Sequence, residues 1–236
     1  MSTYKLYYWD GLQGRGEYIR LALEAAGAPY IDVVRQEGNL FLKDLMEKFA
    51  SPSFAPPFLD DGGQIIGQVA AILLHLGDKL DLAPREPAAR MWTHQIQLTI
   101  ADFILEAHDA HHPIGMGSYY EDQKAEAVRR ADEFRNLRAP KYFKWFETIL
   151  ARNTAGPSHL VGDRLSYADL SLFQSVEGMK FAFPKLMARI EGDYPNMMML
   201  HGRVSLLPKI AEYLGSERRL PPNNSDIFRH YLELDV

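Results

Sequence analysis

The segment from Phe54 to Gly77, FAPPFLDDGGQIIGQVAAILLHLG, constrains the fold of this chain more than any other. It reads as an extended stretch, two prolines, a strand, a glycine turn, a second strand and a helix opening at Gly67-Gln68. Asp60-Asp61-Gly62-Gly63 is a good hairpin turn. A strand edge interrupted by proline cannot complete its own ladder, so backbone groups near Pro56 and Pro57 are left for a ligand strand. The helix N-terminus a few residues later offers free N–H groups and positive dipole to a carboxylate. A small peptide with a carboxylate at one end suits both.

The flanking sequence extends this plan. Residues 4–9 form a short aromatic strand. Over residues 16–26 the spacing of Ile19, Leu21, Ala22, Leu23 and Ala26 predicts a helix, which Gly27 terminates. Ile31 to Val34 reads as a second strand, giving a parallel pair with a right-handed crossover. Residues 38–53 are irregular or weakly helical. Strands at Phe58–Leu59 and at 64–66, with a helix from Gln68 to Leu76, complete a β-α-β then β-β-α order. That order is a thioredoxin-like α/β plan over residues 1–80.

Residues 77–87, GDKLDLAPREP, read as a linker. Beyond it, helical periodicity dominates, at roughly 88–112, 121–150, 167–180, 184–190, 195–201 and 207–214. Residues 88–236 are therefore expected to form an all-α C-terminal domain. Within it, Gly162 to Asp169, GDRLSYAD, holds a capping box: Ser166 caps the helix start and Asp169 returns the bond. This motif starts a helix and does no chemistry.

Composition removes several functions. The chain has no cysteine, so disulfides, thiolate metal sites and enzyme-thiol mechanisms are excluded. Any reactive thiol must arrive with a substrate. The net charge of −5 comes with no basic run, so nucleic acid and anionic membrane are poor partners. The start MSTYKLYYWD has no apolar core or cleavage site, and no apolar run approaches a membrane span, so a cytoplasmic location is expected.

Taken together, the Pro-strand, hairpin and Gln68 helix start, the octet GDRLSYAD and the two-domain order resemble the cytosolic glutathione transferases. The resemblance is to the tyrosine-type members, such as the alpha, pi and sigma classes, and it runs over nearly the whole chain. It implies a thioredoxin-like glutathione-binding domain joined to a helical domain with a second-substrate pocket. It also implies a two-fold homodimer.

The resemblance assigns expectations residue by residue. Tyr8, in KLYYWDGLQGR, falls on the hydroxyl that bonds the glutathione sulfur, with Trp9 as its aromatic neighbour. Lowering a thiol pKa from ~8.5 to ~6.5 needs about 2.7 kcal/mol. One hydrogen bond to a charged acceptor is worth roughly 1.5–3 kcal/mol, so one well-aimed hydroxyl nearly suffices. Tyr7 should face the other way, and Tyr4 shares the Tyr8 face one pair deeper. Gly14-Arg15 matches the end of the family's Arg-Gly-Arg, with Gln13 in place of the first arginine and a loop one residue longer. Arg15 is expected at the thiolate or the glutamyl end.

A proline at 56 has no N–H to give, so the cis bond is expected at Ala55–Pro56, with Ala55 pairing to glutathione. Gln68 matches the glutamine that binds the γ-glutamyl carboxylate. Val69 replaces a Ser or Thr, which predicts a weaker site that keeps its backbone N–H. Asp102 matches an aspartate that reaches across the dimer to the γ-glutamyl ammonium. Lys43 and Lys48 are both open for the glycine carboxylate. His108, Tyr119, Tyr120 and His112 are expected to line the second-substrate pocket, with Asp226 to Tyr231 closing over it.

His108 and His112 also form an i, i+4 pair with metal-ligand spacing. Pro113 follows immediately, so helix-end capping is preferred and no metal is expected. The reading is a glutathione transferase acting on a small hydrophobic electrophile, with detoxification as the expected role. A glutathione-dependent isomerase or peroxidase uses the same thiolate, and a non-catalytic ligand-binding or scaffold protein shares the fold. Val69 and Gln13 favour the scaffold, and Tyr8 opposes it.

Overall fold

In the computed structural model, described over residues 3–38 and 41–236, four strands form one mixed sheet in the order β2-β1-β3-β4. β1 (Tyr4–Tyr7) pairs parallel with β2 (Tyr30–Asp32) and antiparallel with β3 (Phe58–Asp61). β3 pairs antiparallel with β4 (Gln64–Gly67). Gly62 and Gly63 close the hairpin at φ 62° and 97°, a two-residue turn only glycine adopts without strain at both positions. α1 (Gly16–Ala26) crosses from β1 to β2, and Gly27 ends it in the left-handed conformation. α4 (Val69–Lys79) follows β4. This is the thioredoxin-like plan.

One reading of this half needs correction. The second strand stops at Asp32, and Val33–Glu37 forms a short helix, α2. Val33 and Val34 bury there with Tyr7, Leu42 and Phe58 in a small core behind the sheet. Tertiary burial overrides the strand preference of β-branched residues. Leu42–Glu47 forms α3. Asn39 and Leu40, inside the stretch read as irregular or weakly helical, lie outside the described residues.

Leu80 to Glu86 connects to the helical domain, which opens with α5 (Pro87–Asp109). Glu86 caps α5 by accepting from the N–H groups of Ala88 and Ala89 at 2.9 and 2.7 Å, and Pro87 takes the first helical position. The stretch read as one helix over 121–150 is α6 (Lys124–Glu133), a π turn (Phe134–Arg138) and α7 (Ala139–Arg152). Pro140 explains the wide turn: it lacks an N–H and crowds the carbonyl one turn earlier. α8 (Tyr167–Ala182), α9 (Pro184–Ile190), α10 (Pro195–Ser205) and α11 (Pro208–Leu214) complete the domain.

α8 is buried on all sides at the centre of the molecule. Its buried Asp169 accepts from Ser166 N–H at 2.8 Å, as the capping box predicts, and from Leu160 N–H at 2.7 Å. The Tyr167 N–H donates to the Leu82 carbonyl at 2.8 Å, and the Tyr167 ring packs against Gly77 at the end of α4. One continuous hydrophobic core thus joins both domains through α1, α4, α5 and α8.

Candidate active site

Tyr8 leaves the end of β1 and is buried. Its ring lies in a slot between Gly14 and Gly16. A Cβ at Gly14 would stand 2.1 Å from Tyr8 Oη, and one at Gly16 would stand 2.7 Å from the ring. The Arg15 N–H donates to Tyr8 Oη at 3.0 Å, at the N-terminal end of α1. Burial, aided by the nearby Asp226 carboxylate, pushes the Tyr8 pKa up to about 12, against the Arg15 N–H bond. The hydroxyl therefore holds its proton at neutral pH. Having accepted one hydrogen bond, it is a better donor to an anion placed beside it.

Tyr7 faces away and stacks on Phe58 at 4.5 Å and 13°. Tyr4 packs in the main core. The half-buried Arg15 holds Tyr8 through its backbone.

The corner around Tyr8 is fixed by a buried polar network. Arg20 is fully buried and donates to Asp32 at 2.7 Å, to Glu17 at 3.2 Å and to the carbonyls of Leu12 and Gln13 at 3.1 and 3.2 Å. Glu17 also accepts from Tyr213 Oη at 2.6 Å and from Arg219 at 2.5 Å. Gln13 donates to the Leu220 carbonyl and accepts from Gln174 at 3.0 Å. Where the resemblance leads one to expect an arginine, this chain therefore has an amide that ties the loop to α8 and the tail. Asp226 closes the corner by accepting from the Gly14 N–H at 2.9 Å, and burial raises its pKa. Glu17 and Arg20 look in sequence like an ordinary i, i+3 surface pair. Asp226 carries no sequence signal beyond membership of an amphipathic tail.

The peptide-pairing edge differs from expectation. The cis bond is Pro56–Pro57, not Ala55–Pro56. It stands directly before Phe58, whose register is set by its partners Tyr7 and Gly67. The expectation started from the N–H a ligand would want, while the strand register governs the position. Pro56 is buried and presents only a carbonyl, and Ala55 is exposed.

Gln68 stands exposed at the start of α4 with φ 65° and ψ 123°, in a region L-residues avoid. Such a backbone costs of order 1–3 kcal/mol, and it clusters at ligand sites. Among the described residues no side chain caps this helix. Val69 turns its side chain into the core and leaves only backbone at the helix mouth. Lys43, on α3, and Lys48, just after it, are exposed. Asp102 is exposed on α5, in a groove it shares with Thr99, Arg138, Lys141 and Trp145.

At the other end of α5, His108, His111 and His112 are all buried, with His111 only 1% exposed. The tail lies over them. His111 Nε2–H donates to the Ile227 carbonyl at 2.7 Å, and Tyr231 stacks on the buried Tyr120 at 3.7 Å. Burial lowers the His108 pKa to about 4 and the His111 pKa to about 2, so both rings are neutral. Of the residues expected around the second substrate, Trp9 and Tyr119 stay open, at 40% and 79% exposure. A separate cavity of about 350 Å³ runs under the tail between Gly14, Glu177, Phe181, Leu214 and Phe228.

Comparison with known proteins bears on the fold. Residues 108–217 match the family model "Glutathione S-transferase, C-terminal domain". The chain is 28% identical to glutathione S-transferase alpha-4 of Rattus norvegicus over 98% of this chain and 95% of that one. Among solved structures, the pi-class glutathione S-transferase of Onchocerca volvulus is similar with a TM-score of 0.71 and 25% identity, over 90% of this chain and 92% of that one. The monomeric Na-GST-3 of Necator americanus shares the fold, with a TM-score of 0.70 and 22% identity over 94% and 99% of the two chains.

Proposed function

The chain belongs to the cytosolic glutathione transferases, and we propose that it activates the glutathione thiol through the Tyr8 hydroxyl for attack on a small hydrophobic electrophile. The observation that carries this is the Tyr8 hydroxyl itself, protonated at neutral pH and already accepting from the Arg15 N–H. A donor fixed in a dry corner stabilises a thiolate without reorganising.

In this reading the γ-glutamyl carboxylate sits at the mouth of α4, held by Gln68 and the Val69 N–H. The strained backbone at Gln68 supports that role. The cysteinyl backbone runs along Ala55 and Pro56 ahead of β3, and the glycine carboxylate faces Lys43 or Lys48. Tyr8 donates to the sulfur, and the Arg15 charge lies beside it. The thiol proton leaves to solvent. The thiolate pair forms the new C–S bond, and the bonding pair it displaces goes to the leaving group or into the conjugated acceptor. Thiolate population and proximity supply most of the rate.

The electrophile rests against Trp9 and Tyr119, with His108, His112 and Tyr120 as the covered wall beneath the tail. Asp102 meets the γ-glutamyl ammonium in the neighbouring protomer of a two-fold homodimer. Exposed Phe54, Met91, Leu98 and Leu105 are apolar surface that such a dimer would cover. Among the described residues no helix is long and apolar enough to cross a membrane. A cytoplasmic, detoxifying role is part of the same proposal.

The test is a glutathione titration read by thiolate absorbance, wild type against Tyr8→Phe. A thiolate band near neutral pH that is lost in the variant is expected. Saturable binding with no thiolate in either protein sinks the tyrosine mechanism. Absence of binding favours a scaffold.

A further inference from the structure

Three imidazoles meet where α5 ends. The ligand nitrogens of His108, His111 and His112 all lie within 4.8 Å of one another, and all three side chains are buried. Their ring centroids are 4.8 to 5.2 Å apart. The spacing produces this: residues three and four apart share a helix face, and His111 and His112 continue the last turn through N–H bonds to the His108 carbonyl at 3.1 and 3.2 Å.

The nitrogens are oriented for a ligand. The Ile227 carbonyl takes the Nε2–H of His111, so in the neutral ring Nδ1 carries the lone pair. A backbone carbonyl on the far nitrogen is the usual device for aiming a metal-binding imidazole. That lone pair faces His112 Nδ1 at 2.5 Å. A proton shared by the two rings would account for this contact alone. It leaves His108 Nδ1, which is buried with no hydrogen-bond partner among the described residues; the Asp109 carboxylate stands 3.6 Å away, outside bonding range. Two nitrogens bound to one tetrahedral zinc at about 2.0–2.1 Å are about 3.3–3.4 Å apart, so the His111–His112 contact opens by less than about 1 Å to admit an ion.

The electrostatics are mixed. The C-terminal end of α5 is negative, and Asp109 and Glu121 face His112. Arg15 and Arg229 are the opposing cations at His108; the Arg229 guanidinium is bound to the Asp226 carbonyl at 2.7 Å and the Ser225 carbonyl at 3.4 Å. We propose that His108, His111 and His112 bind one divalent transition-metal ion, of the zinc, cobalt, nickel or copper class that favours imidazole. Oxygen-seeking calcium and magnesium do not suit a set of three imidazoles. The site lies under the tail, joins it to α5 through His111, and does not depend on the glutathione reading.

The experiment uses the full chain, stripped with chelator and titrated with cobalt(II) and then zinc. One equivalent of cobalt with an intense tetrahedral visible spectrum, displaced by zinc, is expected. His108→Gln and His112→Gln should each weaken binding by more than about 100-fold, beyond what loss of an outer-shell partner costs. Circular dichroism and glutathione binding show whether each variant is folded, and the wild-type spectrum reads the site without any variant. A weak octahedral spectrum in wild type overturns the proposal. So does cobalt affinity that is unchanged in both folded variants, because the other histidines would then be the ligands.

Discussion

Two helix N-termini frame the site, and they are built in opposite ways. The start of α1 is roofed: Tyr8 takes the Arg15 N–H, Asp226 takes the Gly14 N–H, and Glu17 and Arg20 lock the turn from below. The start of α4 is open: no side chain among the described residues caps it, Val69 turns inward, and Gln68 stands exposed on a strained backbone. The first end is satisfied by protein and keeps one proton in place. The second leaves its donors unmet, which is what a ligand carboxylate requires. On the proposed reading, the rigid end serves the chemistry and the open end serves the binding.

The largest way to break this contrast is Glu17→Ala. It leaves Arg20 and Arg219 without their shared carboxylate and Tyr213 without an acceptor. Loss of one partner from a buried ion pair costs about 3–5 kcal/mol, so denaturant midpoints should fall sharply. A variant within experimental error of wild type would mean the network is not what holds α1. Next in size is Gly14→Ala. A methyl group would collide with Tyr8 Oη, at a residue with φ 42°. Overpacking of this kind costs about 1–3 kcal/mol, and glutathione turnover should fall with stability because the ring must leave its slot.

Gln68→Gly sharpens the contrast, since its two effects have opposite signs. Relief of the positive φ raises stability by at most about 1 kcal/mol after the flexible unfolded chain takes its share. Loss of the amide weakens glutathione by about 0.5–1.5 kcal/mol. Calorimetric melting and binding isotherms measure both. A variant less stable than wild type would show the backbone at Gln68 to be relaxed.

The smallest effect is alkaline. The folded pKa of Tyr8, about 12, lies above the ordinary value of 10.0. The folded state thus holds this proton more tightly than the unfolded chain does. The resulting stability is complete below pH 10 and is lost as pH rises toward 12. Tyr8→Phe should show a smaller drop in melting temperature over that window than wild type. Equal drops would mean that Tyr8 ionises normally.

Sequence made the open end easy to read and the roofed end hard. The hairpin glycines, Gln68 and the capping box at Ser166 act within a few residues, so local pattern carries them. The roof depends on contacts such as Gly14 to Asp226, which no periodicity encodes. Buried charges at Glu17 and Arg20 imitate a solvated face. The cis bond falls at Pro56–Pro57 for a related reason: local chemistry points to Ala55–Pro56, but Phe58 takes its register from Tyr7, far away in the chain. At the end of α5 the i, i+4 spacing was visible, but the Ile227 carbonyl that orients His111 was not.

The Gly14–Asp226 bond has a further consequence for how the molecule is made. Its two ends are 212 residues apart. During synthesis the sheet and α1 emerge first, and an N-terminal unit of this kind tends to fold early. The corner that holds Tyr8 is then finished only when a much later stretch leaves the ribosome and docks. The nascent chain can close the corner around Tyr8 only after the helices of both domains have emerged.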